Sequence, residues 1–381
     1  MKHATRSFLL ASATLATITT VASAGQFKRV TYYGVGSRQQ PYHVVASHLT
    51  NSGNVDLAVG DYLSDRVSIL LGNGDGTFQK ALTFPVPAPI GIAVGDFNED
   101  GIQDVAVVET GGTADGAIAI FLGDGKGHFK LSASYALGVG SDQIAVADLN
   151  GDGHLDVAVT NFGFGGAQGS IMTFFGDGHG KLKDRKTYPL KGEPDGIAAG
   201  DLDGDSLPDI AVTQFTRGSV AVFMNDGTGK FLKPVSYNVG AGEVVDVKIA
   251  DLRNNGDQDL VIANLSQGMV VLLNKGNGTF GKPAIYRPCA GKCSAGPEAC
   301  TVADFNLDGK LDVACAAQAE DSYFFYGKGN GTFGTAIAIA NTIKNQGGFS
   351  IAAGDFNNDN APDLAIPIEE YGKVAILLNT Q

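Results

Sequence analysis

One nine-residue segment of the chain places oxygen-bearing side chains at alternate positions of a tight turn. In DFNEDGIQD these are Asp96, Asn98, Asp100 and Asp104, at positions 1, 3, 5 and 9, and the glycine at position 6 permits a sharp bend. Alternation turns these groups inward, where the backbone carbonyl of Ile102 at position 7 offers another oxygen. Calcium binds such oxygen cages, whereas magnesium gives up its water reluctantly. The segment therefore predicts a calcium site.

The same acidic turn recurs about every fifty residues, which indicates an array of one supersecondary unit. Five copies carry a full set of candidate ligands, with the residue at position 7 offering its backbone carbonyl. The five sets are Asp96, Asn98, Asp100, Ile102, Asp104; Asp148, Asn150, Asp152, His154, Asp156; Asp201, Asp203, Asp205, Leu207, Asp209; Asp304, Asn306, Asp308, Lys310, Asp312; and Asp355, Asn357, Asp359, Ala361, Asp363. About five calcium (Ca²⁺) ions are therefore predicted. Their expected role is structural, because the carboxylates of each turn repel one another without a cation.

Two further copies depart from this pattern. The copy that begins at Asp251 has Arg253 at position 3, and we expect this cation to replace the metal by pairing with Asp251 or Asp259. The first copy holds less charge at the ligand positions, which are occupied by His48, Thr50, Ser52 and Asp56. Such a set is too weakly charged to hold calcium well. For any single copy, the alternative is an Asp/Asn/Gly turn satisfied by backbone hydrogen bonds.

Each complete turn begins like an EF-hand loop but lacks the glutamate that closes an EF-hand at position 12. Position 12 lies inside the next apolar run and holds Val107, Val159, Val212, Cys315 or Ile366. The predicted sites are therefore strand–loop–strand sites, closed by the Asp at position 9.

Each repeat contains four predicted strands, and the fourth is predicted to open on an aromatic residue or Leu after a glycine turn, as in the GTF turns that begin at residues 76, 278 and 331. In residues 90–138, IGIAVGDF precedes the acidic turn, DVAVVE follows it, and AIAIFLG and HFKLSASYAL form a hairpin after it. The chain ends on a third strand at 373–379, while residues 25–36 match the fourth-strand pattern. An N-terminal strand that completes the last sheet closes a ring and removes its open edge. The sequence thus predicts an all-β, seven-bladed β-propeller with four-stranded antiparallel blades.

The N-terminal residues 1–24 have the pattern of a cleaved signal peptide. A basic start precedes an apolar stretch from Phe8 to Val21, and small residues lead up to Ala24. A short transmembrane anchor is the alternative, but this stretch is too short to span a bilayer comfortably. We expect cleavage after Ala24, which leaves the propeller at residues 25–381 in a secreted or extracytoplasmic location.

The composition limits the possible partners. A formal net charge of −13 disfavours nucleic acid and anionic lipid. No segment after the signal peptide is apolar for long enough to cross a bilayer, so no membrane span is expected. The expected partner is an extracellular protein or glycan, and the expected state is a monomer.

The cysteines fall within one repeat, at Cys289, Cys293, Cys300 and Cys315. In an exported chain an even, clustered set indicates disulfides. We favour pairing Cys300 with Cys315 across neighbouring strands and Cys289 with Cys293 in a small loop, although three connectivities are possible. Zinc is the other interpretation, but no histidine lies nearby and the spacing matches no familiar zinc site.

The repeat resembles the FG-GAP (VCBS-type) repeat of integrin α N-terminal propellers and of many secreted microbial proteins. The resemblance rests on the D-x-[DN]-x-[DN]-G-x-x-D motif and on the GTF turns, and it extends over residues 25–381. It implies a propeller with calcium in the loops that join first and second strands. Fungal lectins and some polysaccharide lyases use related propellers, so the resemblance leaves the activity open.

The two faces of the predicted propeller differ. The acidic turns and the GTF turns share one face, and the loops between second and third strands share the other with the blade-to-blade connections. These second-to-third-strand loops vary in sequence, as recognition loops on a rigid scaffold do. Side chains there that could contact a ligand, or instead pack between blades, are Tyr62, Phe162, Phe164, Phe215, Arg217 and Tyr371. Acids that could ring the channel mouth, or instead lie in solvent, are Asp142, Glu193, Asp195, Glu243 and Glu298.

Catalysis finds little support in the sequence. None of the five histidines beyond residue 24 lies beside an obvious nucleophile or metal triad. We therefore predict a secreted, calcium-stabilised, non-catalytic propeller that binds a protein or glycan through its variable-loop face. The alternative is a polysaccharide-acting enzyme, a lyase or hydrolase, assembled from residues distant in sequence.

Overall fold

The structure, a computed structural model, describes residues 27–35, 40–110, 116–163, 168–288, 296–317, 322–339 and 348–380. The predicted signal peptide at 1–24 and its cleavage point after Ala24 lie outside the described residues, as do Cys289, Cys293 and Phe164. Among the described residues, no helix has the length and apolar character needed to cross a bilayer.

The described strands form seven four-stranded antiparallel sheets, which we call blades I to VII. Blade I contains β2 (Pro41–Ser47), β3 (Asp56–Asp61), β4 (Arg66–Leu70) and β5 (Leu82–Pro85). Blade II contains β6 (Pro89–Gly95), β7 (Asp104–Glu109), β8 (Gly116–Gly123) and β9 (Phe129–Gly138). Blade III contains β10 (Ser141–Ala147), β11 (Asp156–Asn161), β12 (Ser170–Gly176) and β13 (Leu182–Pro189). Blade IV contains β14 (Pro194–Gly200), β15 (Asp209–Gln214), β16 (Ser219–Phe223) and β17 (Val235–Asn238).

The remaining blades repeat this order. Blade V contains β18 (Val244–Ala250), β19 (Asp259–Asn264), β20 (Gly268–Leu272) and β21 (Ala284–Tyr286). Blade VI contains β22 (Ala299–Ala303), β23 (Asp312–Ala316), β24 (Tyr323–Phe325) and β25 (Ile337–Ala338). Blade VII contains β26 (Ala352–Gly354), β27 (Asp363–Ile368), β28 (Lys373–Asn379) and β1 (Phe27–Gly34). Short 3₁₀ turns follow the second strand at Tyr62–Ser64, Phe215–Arg217 and Glu369–Tyr371.

The second strand of each blade is buried because neighbouring blades cover both faces of its sheet. In β7, all four residues from Val105 to Val108 are completely buried. Valine, which dominates this run, packs well on a pleated surface. The fourth strands lie at the rim, and exposed residues recur along them, as at Leu131 and Val235. The core is therefore a set of apolar layers between blades.

The ring closes through the N-terminal strand, as predicted. Phe27 pairs with Asn379 and Gly34 pairs with Lys373, so β1 is the outer strand of blade VII. The Phe27 ring also packs edge-on against Phe305 and Phe324, both at 6.0 Å between centroids. Around the axis each first strand contacts the first strand of the next blade, and β26 contacts β2. The predicted seven-bladed, all-β propeller is confirmed.

The fourth strands begin later than predicted in four blades. There, the aromatic residue of the GTF-type turn forms an isolated bridge, and the fourth strand starts several residues further on. The bridged aromatics are Phe78, Phe231, Phe280 and Phe333, each at most 8% exposed. Because these rings turn inward between blades, they anchor the turn instead of opening the strand.

The predicted disulfide between Cys300 and Cys315 is present. These residues face each other across β22 and β23, and both are completely buried. The bridge therefore joins the first and second strands of blade VI.

Candidate metal sites and axial pocket

The Asp at position 9 of the acidic turn is buried in every blade and joins two loops. In blade II, Asp104 Oδ2 accepts the N–H of Phe97 and Oδ1 accepts the N–H of Gly123, both at 2.9 Å. A donor at the end of the third strand makes the second of these bonds in all seven blades, over 2.7–2.9 Å. The seven residues, each at most 1% exposed, are Asp56, Asp104, Asp156, Asp209, Asp259, Asp312 and Asp363. The sequence indicated only a metal ligand at position 9 and did not indicate that this Asp also joins two loops.

Backbone hydrogen bonds shape the turn around its first Asp. In blade II, Asp96 accepts the N–H of Asp100 at 3.1 Å and that of Gly101 at 2.8 Å. The position-6 N–H donates to the first Asp in blades III, IV, VI and VII as well, over 2.7–2.9 Å. These are the backbone hydrogen bonds expected if the segment is only an Asp/Asn/Gly turn and not a metal site. They do not exclude a metal, because each carboxylate oxygen keeps further lone pairs.

Blade IV shows most directly that the turn fits a cation. One carboxylate oxygen from each of Asp201, Asp203 and Asp209 lies within 4.8 Å of the others. At calcium–oxygen distances of about 2.4 Å, ligands on opposite sides of one ion are about 4.8 Å apart, so a single ion can contact all three. Among the described residues, this is the one group of three or more Asp, Glu, His or Cys side chains that meets so closely. An all-oxygen donor set of this kind suits calcium.

The buried carboxylates are electrostatically strained when they are ionised. Burial raises the pKa of Asp104, Asp156, Asp209 and Asp312 to about 6, and that of Asp363 to about 7. Neighbouring carboxylates of the same turn add to the rise in each pKa. A bound cation would favour the ionised forms and remove this strain.

Arg253 occupies the turn of blade V. Its Nε donates to Asp259 Oδ2 at 3.1 Å and its Nη2 to Asp259 Oδ1 at 2.9 Å. Nη2 also donates to the carbonyl of Asn274 at 2.8 Å and contacts Asp257 at 3.4 Å. Burial raises the pKa of Asp259, and Arg253 opposes that rise. Of the two pairings expected from the sequence, the one with Asp259 is formed.

In blade I, hydroxyl groups take the corresponding place. Thr50 Oγ1 donates to Asp56 Oδ2 at 2.9 Å and lies 3.0 Å from Ser52 Oγ. His48 Nδ1 lies 3.0 Å from the carbonyl of Asn54. Asp56 is thus hydrogen-bonded within the turn. It is the one carboxylate among the four ligand positions of blade I.

Two position-7 side chains make contacts of their own. His154 Nδ1 contacts Glu99 of blade II, which links two neighbouring acidic turns. Lys310 Nζ lies 2.9 Å from Asp308 Oδ2, a predicted metal ligand in blade VI. Both partners of this second pair are partly exposed, so the ammonium group is free to move away from an incoming ion.

The residue at position 2 connects the acidic turn to the next blade. At five junctions between blades, its carbonyl accepts a hydrogen bond from the end of the third strand of the following blade or from the turn after that strand. Two of these bonds come from backbone N–H groups, Gly76 to Phe356 at 2.9 Å and Gly180 to Phe97 at 2.8 Å. Three come from side-chain amides over 2.6–2.7 Å, Asn225 to Leu149, Asn274 to Leu202 and Asn379 to Phe305. Ordering one turn therefore also supports an interface between blades.

A polar pocket lies at the other end of the axis. Its lining comes from near the beginnings of the first strands of six blades, and the acidic turns follow the ends of those strands. Polar side chains that line it include Tyr42, His43, Gln143, Asp195, Asp246 and Glu298. The pocket was missed from the sequence because its residues are dispersed from blade I to blade VII.

The acids near the channel mouth are mostly not solvated. Asp142, Asp195 and Glu298 are 1%, 4% and 8% exposed, so their interpretation as solvent-facing charge is wrong. Glu243 is exposed, as that interpretation requires, and Glu193 is half-buried.

The aromatic residues of the second-to-third-strand loops divide into two groups. Phe162 and Phe215 are 2% and 5% exposed, and their rings pack 5.4 Å apart between blades III and IV. Packing is thus their role, and the ligand-contact interpretation is wrong for them. Tyr371, at 46% exposed, and Arg217 face solvent, and Tyr62 is half-buried.

Comparison with known sequences gives two matches. A family model described as an FG-GAP-like repeat matches residues 48–107, 96–159, 201–262, 251–315 and 304–366. The chain is also 27% identical over 205 residues to Integrin alpha pat-2 of Caenorhabditis briggsae. That match covers 44% of this chain and spans only 16% of the length of the relative.

Solved structures share the fold at low identity. One is an Agrocybe aegerita lectin described as specifically recognising non-reducing terminal N-acetylglucosamine, with a TM-score of 0.56 and 18% identity over 90% of this chain and 95% of that one. Another is BBS1N in complex with ARL6DN, with a TM-score of 0.61 and 16% identity over 91% of this chain and 94% of that one. At these identities the likeness concerns the fold alone.

Proposed function

Because the chain belongs to the FG-GAP-like repeat family, we propose that it is a secreted, calcium-stabilised, non-catalytic binding propeller. Its ligand is an extracellular protein or glycan. The face that carries the second-to-third-strand loops and the axial pocket is the recognition face, and the acidic turns stabilise the opposite face.

Calcium in five turns is the stabilising element of this proposal. The ligands are the side chains at positions 1, 3, 5 and 9 and the carbonyl at position 7 in blades II, III, IV, VI and VII. When bound, each ion supplies positive charge that offsets crowded carboxylates. The grouping of Asp201, Asp203 and Asp209 supports this assignment, and Arg253 supports it by providing a cation in blade V.

Export follows from the proposed signal peptide at 1–24, with the propeller at 25–381. The disulfide between Cys300 and Cys315 suits an oxidising compartment. Mass spectrometry of protein recovered outside the cytoplasm tests this directly. We expect an intact chain that begins at Gly25. A chain that retains residues 1–24, or that stays in the cytoplasm, would contradict export.

The observation that carries the recognition role is the arrangement of the loop face around a polar pocket. Exposed Tyr371 and Arg217 lie in turns after the second strands, on the same side of the blades as the beginnings of the first strands. Variable loops on a rigid, closed scaffold are common sites of recognition. The lectin with a similar fold, which recognises N-acetylglucosamine, offers a precedent for a glycan ligand on this architecture.

Binding is tested by applying the calcium-loaded protein to a glycan array and to an extracellular protein panel from the source organism. We expect saturable binding to a defined ligand, reduced by Tyr371→Ala or Arg217→Ala. Lys233→Ala, a charge change on the outer segment of blade IV, is the matched control. If the protein binds neither to the glycan array nor to the protein panel, the recognition proposal is wrong.

A polysaccharide-acting enzyme is the second candidate, and one observation favours it. Asp195, Asp246 and Glu298 bring carboxylates to one pocket together with His43, and paired carboxylates catalyse glycoside hydrolysis. Incubation with plant and microbial polysaccharides separates the two candidates. New reducing ends or unsaturated products would establish catalysis and exclude the non-catalytic role.

A further inference from the structure

Three asparagines, at or just after the end of a third strand, each form hydrogen bonds with two acidic turns. In blade IV, the backbone N–H of Asn225 donates to Asp209 Oδ1 at 2.8 Å, and its side-chain amide donates to the carbonyl of Leu149 in blade III at 2.7 Å. Leu149 lies between Asp148 and Asn150, two predicted ligands of the blade III site. One residue thus joins a ligand of one metal site to the backbone of the preceding site.

Asn379 joins the sites of blades VI and VII in the same way. Its backbone N–H donates to Asp363 Oδ1 at 2.7 Å, and its amide donates to the carbonyl of Phe305 in blade VI at 2.7 Å. Both asparagines are nearly buried, with Asn225 at 6% exposed and Asn379 at 2%. Hydrogen bonds in such a poorly hydrated environment are stronger than in water, so a displacement at one site also displaces its neighbour.

A different set of contacts joins the sites of blades II and III. Glu99, at position 4 of the blade II turn, contacts Nδ1 of His154, whose carbonyl is the predicted position-7 ligand of blade III. The N–H of Gly180 in blade III also donates to the carbonyl of Phe97, at position 2 of the blade II turn, at 2.8 Å. The blade II site is therefore bonded to blade III, which Asn225 in turn joins to blade IV.

Blades V and I interrupt this series of metal sites. Asn274 donates from its N–H to Asp259 at 2.8 Å and from its amide to the carbonyl of Leu202 in blade IV at 2.6 Å. Asp259 pairs with Arg253, so no calcium is expected at the blade V end. Blade I, whose ligand positions hold one carboxylate, that of Asp56, lies between blades VII and II. The five predicted sites thus form a group of three, in blades II, III and IV, and a pair, in blades VI and VII.

We propose that calcium binds cooperatively within these two groups of sites and independently between them. This inference rests on the proposed function, because it requires calcium in the five turns. When Asp209 coordinates an ion, its carboxylate is held in place, and Asn225 and the blade III turn are held with it. The blade III site is then partly ordered in advance, so less conformational entropy is lost when it is filled. Linkage is reciprocal, so each site of a pair raises the affinity of the other by the same factor.

Repulsion between neighbouring ions acts in the opposite direction. At about 0.15 M salt, the interaction between exposed charges is largely screened beyond about 8 Å. The hydrogen bonds of nearly buried asparagines are not screened in this way. We therefore expect positive coupling, in which a filled site raises the affinity of its neighbour by about fivefold or more.

Native mass spectrometry of the intact protein at intermediate calcium concentrations tests the proposal, because it resolves proteins with different numbers of bound ions. Independent sites, whatever their affinities, give a single-peaked distribution of ion counts. A cooperative group of three and a cooperative pair should instead favour proteins with zero, two, three or five ions over those with one or four.

Asn225→Ala and Asn379→Ala remove the connecting amides and retain every predicted ligand. The first should separate blade IV from blades II and III, and the second should separate blade VI from blade VII. In each variant, proteins with one or four ions should become about twice as abundant. Asn274→Ala is the matched control, because it removes the same amide bond between a calcium site and the arginine of blade V. It can lower calcium affinity, but it should leave the favoured ion counts unchanged.

Two further variants keep the test decisive if the loss of a buried amide unfolds the protein. Glu99→Ala removes an exposed contact between blades II and III, and it should weaken the coupling less because the bond from Gly180 to Phe97 remains. Asp205→Asn removes the blade IV site and leaves two pairs, so the favoured counts should shift to zero, two and four. Melting followed by circular dichroism in saturating calcium checks that each variant is folded.

The outcomes separate this inference from the proposed function. A single-peaked distribution that reaches five ions, and that Asn225→Ala and Asn379→Ala leave unchanged, would overturn cooperative binding while structural calcium stands. Equal changes in Asn225→Ala and Asn274→Ala would give the amides a purely structural role and would overturn it as well. A protein that binds no calcium would overturn both proposals. Favoured counts that are lost in folded Asn225→Ala and kept in Asn274→Ala would support cooperative binding.

Discussion

Blades IV and V contain the same acidic turn but balance its charge differently. In both blades the position-9 Asp is buried and accepts the N–H of an Asn at 2.8 Å, from Asn225 to Asp209 and from Asn274 to Asp259. Blade V then supplies a guanidinium group, that of Arg253. Blade IV instead gathers three carboxylates with no such cation at position 3. The backbone hydrogen bond to the position-9 Asp is thus the same in both blades. The repulsion between carboxylates, in contrast, is offset only where a cation is present.

This difference separates a permanent cation from an acquired one. An arginine is present at any calcium concentration, but a calcium site stabilises the fold only to the extent that it is occupied. The stability of the blades with predicted calcium sites should therefore depend on the calcium concentration, and that of blade V should not.

Removing calcium is expected to have the largest effect. Each ion bound at a hundred times its dissociation constant adds about 2.7 kcal/mol to the free energy of unfolding, and several sites act together. EDTA should therefore lower the melting temperature by about 10 °C or more, as measured by circular dichroism. Added calcium should restore it, and magnesium should not. An unchanged melt would contradict structural calcium.

The effect of pH should differ in sign between the metal-free and calcium-loaded protein. The pKa of Asp104, Asp156, Asp209 and Asp312 is raised to about 6, and that of Asp363 to about 7, above an unfolded value of 3.8. In the metal-free protein, their stabilising contribution is complete below pH 3.8 and is lost as pH rises through 6–7. Calcium requires the ionised forms, so the melting-temperature gain from calcium should shrink between pH 7 and pH 5. A gain that is constant over this range would argue against these carboxylates as ligands.

Arg253→Ala should destabilise blade V by removing its built-in cation. Asp259 stays buried, so the free energy of unfolding should fall by about 2 kcal/mol in urea titrations, less than for a fully buried pair because Arg253 is partly exposed. Arg287→Ala, an exposed change in the same blade, should cost less than about 0.5 kcal/mol.

Arg253→Asn sharpens the same test, because it gives blade V the position-3 residue of blade II. We expect this variant to be destabilised in EDTA and rescued by calcium, with one additional ion bound. Failure of calcium to rescue it would mean that the guanidinium does not stand in for a metal.

The smallest effect is expected from Asp205→Asn, which gives blade IV the position-5 residue of blade V. Native mass spectrometry should find one calcium fewer, and the free energy of unfolding in calcium should fall by about 1–2 kcal/mol. In EDTA the variant should be at least as stable as the parent, because the substitution removes one of the carboxylates that repel one another there. An equal loss in EDTA would assign Asp205 a role in the turn that is unrelated to metal.

The fold was predictable because each repeat carries its own strand and turn signals. The regular spacing of acidic turns gave the number of blades, and GQFKRVTYYG at the N-terminus identified the strand that closes the ring. The starts of four fourth strands were mispredicted. A buried aromatic such as Phe78 after a glycine turn has the same sequence pattern whether it opens a strand or packs between blades.

The site was only partly predictable, for a different reason. The alternating ligands of a turn are local, so they could be identified from spacing. The hydrogen bond from Gly123 to Asp104 spans 19 residues of sequence, and the one from Val44 to Ser350 spans 306. No local pattern reports such contacts, so the dual role of position 9 and the axial pocket required coordinates.

Calcium positions in a crystal test the contrast between blades most directly. Anomalous diffraction at long wavelength, from crystals grown in calcium, should give peaks among the acidic turns of blades II, III, IV, VI and VII. We expect none in blade I and none beside Arg253. A peak at Arg253, or the absence of one among Asp201, Asp203 and Asp209, would contradict this contrast between blades IV and V.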